Sequence, residues 1–283
     1  MEAKNVYERL RSDFITEETH DDWSFMTLNE FVCDEFKQQH NGLVYDNSRV
    51  IKRVFIVTFP DEALIETIIN NNSDILIFSH HPMIWSSLKS GIPFVDIPVR
   101  LVSLMKEKRI SFFVLHSPLD VYGEYSTSLG FMQALRMKYA GNFFQYKNES
   151  IGVIAATEYT TTASLSDYIA SRVGHPLKLF SYGDAEITGG KIGIVAGGGN
   201  VPEALEALKE CGINTYVTGV TKIFEGFKPS ADFHEIAKKY SINIIGATHY
   251  STEKWACMNM LDYFRKIGLG CVFMPGKPDM NDL

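Results

Sequence analysis

Four cysteines are spread through 283 residues, at positions 33, 211, 257 and 271, and no two of them form a CxxC pair. That spacing excludes a zinc-thiolate knuckle and provides no disulfide framework. Positive charge is scarce as well: 27 Lys and Arg face 34 Asp and Glu, a net charge of −7. A general nucleic-acid face needs the reverse balance. No apolar run approaches the roughly 20 residues that cross a bilayer. The opening MEAKNVYERL is charged and lacks the apolar core of a signal peptide. A cytoplasmic protein with neither membrane nor nucleic-acid partners is expected. Two catalytic signatures are missing too. Without GxSxG there is no nucleophile elbow, and no cysteine sits beside an obvious base. The glycine run VAGGGN (195–200) lacks the GxGxxG spacing of a dinucleotide fingerprint, so it is expected to be a tight turn.

What is present is apolar and periodic. Hydrophobic residues make up 45% of the chain, enough for one large domain or two intimate lobes. LNEFVCDEFKQQ (28–39) is the one helix expected in the first 50 residues. From Arg53 short apolar runs alternate with amphipathic ones. RVFIVTF, DILIFS and SFFVL are expected strands. PDEALIETIINNN, opened at Pro60, and IPVRLVSLMKEKR are the helices between them. After Gly190 the plan recurs. KIGIV, INTYVTG and SINIIGAT are strands, with NVPEALEALKECG and ADFHEIAKKY as helices. The expected fold class is α/β: a duplicated three-layer α/β unit at 53–120 and 191–253, in two intimate lobes with a metal site between them. Residues 1–125 would form the first lobe and 191–283 the second. The segment 126–190 would connect them as helix, strand, helix and strand.

In open parallel sheets, ligands gather at the carboxyl ends of strands. Those ends carry His80-His81-Pro82, His116-Ser-Pro-Leu-Asp120 and His249-Tyr-Ser-Thr-Glu253. Imidazoles and carboxylates in this mix suit zinc, iron or manganese. Pro82 would end the strand ladder and let both adjacent rings turn one way. His249 and Glu253, four apart, reach one side if a helix has already begun there. Five donors exceed the need of one structural zinc, which makes two ions plausible. His20, His40, His175 and His234 are expected to be structural or surface residues.

GLVYDNS, ILIFSHHPMIW, HSPLD, VAGGGN, YVTG and THYSTE, in that order, resemble the Nif-three-like dinuclear metal-centre proteins. Members are often called type 2 homologues of GTP cyclohydrolase I. The resemblance runs from about Glu30 to the carboxyl end. It implies a two-lobed α/β fold, two divalent metals per chain, and a toroidal homohexamer with its sites facing a cavity. Matched motif by motif, it implies His80, His81, Asp120, His249 and Glu253 as the metal ligands, with His116 beside them as a supporting group or proton carrier. One stretch departs from the pattern. Where the family has an acidic residue after TG and then a histidine, this chain has TGVTKIFEG, with Val220 and Phe224.

The function expected is metal-dependent hydrolysis of a nucleotide or related small molecule, with a cyclohydrolase-like or phosphoester reaction. The alternative is a metal-binding scaffold or interaction factor without turnover. A metal-free nucleotide-binding protein rests on VAGGGN alone.

Overall fold

The computed structural model describes residues 1–23, 28, 30–82 and 97–283. Met83 to Trp85 of the quoted histidine motif therefore lie outside the described residues. In chain order the first elements are α1 (Ala3–Phe14), α2 (Asp34–Gln39), β1 (Gly42–Tyr45), β2 (Val54–Val57), α3 (Glu62–Asn71), β3 (Ile75–Ser79), α4 (Val99–Glu107), β4 (Ile110–Val114) and α5 (Ser117–Asp120). Then come α6 (Thr127–Ala134), β5 (Lys138–Asn142), β6 (Gln145–Tyr146), β7 (Glu149–Ser150), β8 (Val153–Ala156), α7 (Thr162–Val173) and β9 (Lys178–Phe180). The last are β10 (Lys191–Val195), α8 (Pro202–Glu210), β11 (Thr215–Thr218), α9 (Lys228–Tyr240), β12 (Asn243–Gly246), α10 (His249–Lys266) and β13 (Cys271–Phe273).

The chain divides into two units, Met1–Leu119 with Cys257–Gly276, and Asp120–Ala256 with Lys277–Leu283. The first holds a five-stranded sheet in the order β1-β4-β3-β2-β13. β13, β2, β3 and β4 run parallel and β1 antiparallel. Every residue of β2, β3 and β4 is buried, as expected of parallel strands covered on both faces. Alternation sorts their side chains. Phe55, Val57, Ile75, Ile77, Phe112 and Val114 pack with Ile65 and Ile69 of α3 and Leu101 and Met105 of α4. On the opposite face Phe113 stacks on Tyr7 of α1, and Phe78 meets Phe264 of α10 edge to face. The result is three layers.

The second unit holds a six-stranded sheet, β5-β8-β10-β11-β12-β9, with β10, β11 and β12 parallel. Ile192, Ile194, Val217 and Ile245 face Leu165 and Ile169 of α7. Val195, Tyr216 and Ile244 face Leu205 and Leu208 of α8 and Phe233 of α9. In each unit, then, three parallel strands follow one another with helices between, which is the repeated plan expected from the sequence.

Some local readings need adjustment. The first 50 residues contain α1 in addition to the expected helix. Its buried stripe is Ala3, Val6, Tyr7 and Leu10, outnumbered by the charged and polar residues of the same helix. The expected 28–39 helix spans only Asp34–Gln39, because residues 30–32 form a turn and bend. The expected start at Pro60 moves to Glu62, where Asp61 caps the helix by accepting from the Ala63 and Leu64 amides. Within 126–190 there are extra strands. Lys147 and Asn148, both with positive φ, make the two-residue turn of hairpin β6–β7. Among the described residues no helix is long and apolar enough to cross a membrane.

Candidate metal centre

In the first unit β3 stops at Ser79, and the Ser79 hydroxyl donates to the His81 carbonyl at 2.6 Å. The His80 and His81 amides still donate to Val57 and Thr58, so the chain stays beside β2 without continuing the strand alternation. The two rings are therefore not sent to opposite faces: their centroids lie 4.4 Å apart. His116, just past β4, has its ring 5.0 Å from His80 and 4.8 Å from His81. Each of the three offers a ring nitrogen, and these nitrogens lie within 4.8 Å of one another, a spacing that can hold a metal ion.

Each ring is set by a different device. His80 Nδ1 is 2.9 Å from the Leu115 carbonyl, which can only accept, so the proton sits on Nδ1 and the lone pair on Nε2. That is the usual arrangement of a metal-binding histidine. The His81 ring lies flat on Phe59, 4.1 Å away and within 4° of parallel. His116 has Trp23 against its ring at 4.6 Å, and its Nδ1 is 3.2 Å from Asp21 Oδ1.

Asp21 is buried, and its carboxylate is met by donors. Oδ2 accepts from Asn41 Nδ2 at 2.8 Å and from the Ser117 amide at 3.3 Å. Burial by itself would raise this carboxyl. The His116 ring, with the Asn41 and Ser117 donors, outweighs it and holds Asp21 down at about 2. Asn41 also accepts from the His116 amide through Oδ1, at 2.8 Å.

The second unit presents a histidine–carboxylate pair. The sequence expected a helix from about Ser251; α10 begins at His249 instead, so His249 and Glu253 stand one turn apart on one face. His249 Nε2–H donates to Glu253 Oε1 at 2.9 Å, and both side chains are buried. Thr248, just before the helix, has φ 63, an uncommon conformation for a β-branched residue, and its hydroxyl accepts from the Ser251 amide. From the far end of the chain, Asp282 Oδ2 accepts from the His249 amide at 2.9 Å. A carboxylate there complements the positive end of the helix. Burial pushes the Asp282 carboxyl up to about 6 against the pull of His249.

The glycine run after β10 belongs to this pair. Gly197 has φ 71, and a Cβ there would fall 1.9 Å from Glu253 Oε1. Its amide donates to Thr252 Oγ1, and its carbonyl accepts from the Val220 amide. At Gly197 the turn therefore serves close approach to a carboxylate. Val220 is fully buried, and Phe224 donates its amide to Ser230 Oγ. Asp120, the last residue of α5, accepts from Thr127 Oγ1 at 2.9 Å.

The expected ligands thus fall into two sets. His80, His81 and the supporting His116 cluster in the first unit, while His249 and Glu253 join in the second, which also holds Asp120. The other histidines have surface or structural contacts: the exposed His20 Nδ1 meets the Glu17 carbonyl oxygen, His40 Nδ1 meets the Asp21 carbonyl oxygen, His175 meets Ser251 Oγ, and His234 bridges Tyr182 and the Thr221 carbonyl. Sequence reasoning missed Asp21, Asn41 and Asp282. They lie 95, 75 and 33 residues from their partners, and no local pattern marks them.

Comparison with known proteins identifies the family and the fold. A family model described as Duf34/NIF3 (NGG1p interacting factor 3) matches residues 30–279. A relative from Archaeoglobus fulgidus named "GTP cyclohydrolase 1 type 2 homolog" is 25% identical over 237 residues, covering 83% of this chain and 88% of its own length. Among solved structures, a protein named ybgI, described as of unknown function, has a TM-score of 0.73 at 14% identity. The match covers 99% of this chain and all of the other. A protein from Thermus thermophilus has a TM-score of 0.69 at 18% identity over 99% of this chain and 100% of the other. Both establish the fold.

Proposed function

The chain belongs to the Duf34/NIF3 family, and from that premise we propose that it is a dinuclear metal-dependent hydrolase. His80, His81, Asp120, His249 and Glu253 hold two divalent ions of the zinc, iron or manganese type. The substrate is a nucleotide or related small molecule, and the protein works as a cytoplasmic homohexamer. The observation that carries the reading is chemical. His80, His81 and His116, at the ends of strands in the first unit, bring three imidazole nitrogens within 4.8 Å, and two of the three rings are buried.

The donors fit divalent ions of that class. Neutral imidazoles and carboxylates suit borderline cations, and the Leu115 carbonyl leaves the His80 lone pair on Nε2. Bound there, a metal pair supplies Lewis acidity at a ring carbon or phosphorus and makes water a stronger nucleophile. The side chains do the rest. Glu253 and Asp120 bring negative charge to offset the cations, and His116 supports them with its ring beside His80 and His81. The names of curated relatives favour a GTP-type substrate.

The test is metal content by mass spectrometry on protein purified without chelator or tag, beside His81→Ala. About two transition ions per chain are expected in the wild type, with a sharp loss in the variant. A panel of nucleotides, phosphoesters and cyclic amides then compares wild type with Glu253→Ala; equal turnover would remove the enzymatic reading. The family description as an interacting factor favours a second reading, a metal-dependent scaffold, and bound metal without turnover would support it.

A further inference from the structure

Asp21 lies outside residues 30–279, which match the family model, and outside every motif that suggested the metal centre. It is nevertheless a buried carboxylate that faces donors from His116, Asn41 and Ser117 on one small surface. We propose that Asp21 is a positioning residue that locks His116 in the Nδ1–H tautomer, so that the His116 lone pair lies on Nε2 and joins His80 and His81 as a third imidazole donor. The inference rests on the metal reading above and goes beyond it, since it concerns which nitrogen of His116 carries the proton.

The argument is one of donors and acceptors. Oδ1 of Asp21 faces His116 Nδ1 at 3.2 Å, and Oδ2 faces Asn41 Nδ2 at 2.8 Å and the Ser117 amide at 3.3 Å. A peptide amide only donates. The Asn41 side chain is also fixed as a donor on this side, because its Oδ1 is taken by the His116 amide and its Nδ2 also reaches the Thr19 carbonyl at 3.2 Å. A carboxylate accepts at both oxygens, so it can satisfy these donors and still take a proton-bearing Nδ1 from His116. Trp23 against the ring and the amide bond to Asn41 restrain His116 against turning.

Asparagine at position 21 reverses the result. Its single oxygen must face the Asn41 amide and the Ser117 N–H, two donors against one. Its NH2 then points at His116 Nδ1, which has to become an acceptor, and the proton moves to Nε2. Asp21→Asn thus keeps the shape of the side chain and inverts the imidazole, as an aspartate-to-asparagine change does in a serine-protease triad.

The experiment uses the full chain with its histidines nitrogen-15 labelled. Two-bond nitrogen–proton correlation spectra are recorded on metal-free wild type, Asp21→Asn and the control Glu18→Gln, whose side chain is exposed. Wild type and control should give His116 as Nδ1–H, and Asp21→Asn as Nε2–H. Zinc affinity, measured by competition with a chromophoric chelator, should fall by about 10- to 100-fold in Asp21→Asn. In a His116→Gln background the same substitution should change it little. An unchanged His116 tautomer in Asp21→Asn overturns the proposal. So does an equal loss of zinc affinity in the His116→Gln background, which would mark a general packing role. If Asp21→Asn unfolds, Asp21→Glu keeps both acceptors and should retain Nδ1–H; an Nε2–H signal there is equally fatal. Wild-type protein that takes up no zinc defeats the metal reading alone, because the tautomer spectra decide the role of Asp21 without metal.

Discussion

The two units build their donors by different means from the same strand plan. The first uses rings: three imidazoles placed by strand ends and held by a carbonyl, an aromatic face and the Asp21 carboxylate. The second uses a helix start: His249 and Glu253 one turn apart, seated on the glycine turn after β10 and capped by Asp282. The first unit presents imidazoles, and the second unit supplies the carboxylates. A duplicated scaffold has thus been specialised by charge. The same difference predicts where each is fragile. A helix pair packed against bare backbone fails when any atom is added, whereas rings in an acceptor network fail when a hydrogen bond changes sign.

Gly197→Ala should show the first kind of failure most strongly. Positive φ and a Cβ 1.9 Å from Glu253 Oε1 together should cost about 3 kcal/mol of stability. Urea unfolding would measure that, and metal uptake should fall with it. Next in size is Asp282→Ala, which removes an acceptor from the start of α10. The expected loss is about 1 kcal/mol, read from the thermal midpoint. An unchanged midpoint would mean that Thr248 alone caps the helix.

Acid should separate the units as well. Burial lowers the His234 pKa in the second unit below its usual 6.5. The unfolded chain therefore binds a proton that the folded one resists, and stability is lost as pH falls from about 6.5 through the lowered value. His234→Gln, which can still donate to the Thr221 carbonyl and accept from Tyr182, should flatten that slope between pH 7 and 5. In the first unit Asp74 is held below its usual 3.8 by hydrogen bonds from Arg109 and Lys52. Its contribution is present above pH 4 and disappears only as pH falls further. Asp74→Asn should change the acid limb alone, and by the smallest amount of the four, since both cations that hold it, Arg109 and Lys52, are solvent-exposed. Matching acid profiles for the two variants would erase this contrast.

Much of this was legible before the structure because its signals are local. Runs such as ILIFS report buried parallel strands in consecutive residues, and the strand-end rule then nominates His80, His116 and His249. Helix α1 hid because its four buried positions, one of them only an alanine, are outnumbered by charged and polar residues. The supporting groups hid for another reason. Asp21 and Asp282 act on backbone and ring atoms that folding brings near them from distant positions, and neither has a spacing to read. VAGGGN was visible, but its purpose depends on Glu253, 56 residues further on. A glycine pattern reports that backbone must come close to something, without naming what.

Gly197 also has a consequence for inheritance. Every base change in a glycine codon that alters the residue adds a Cβ, and here that atom has no room while Glu253 keeps its place. The position has no conservative neighbour to drift through, so its codon should accept only silent changes. The constraint is conditional, however. A lineage that loses the Glu253 side chain removes the obstacle and is left only with the backbone preference at φ 71. The two positions should therefore diverge in a fixed order, the glutamate first and the glycine after it.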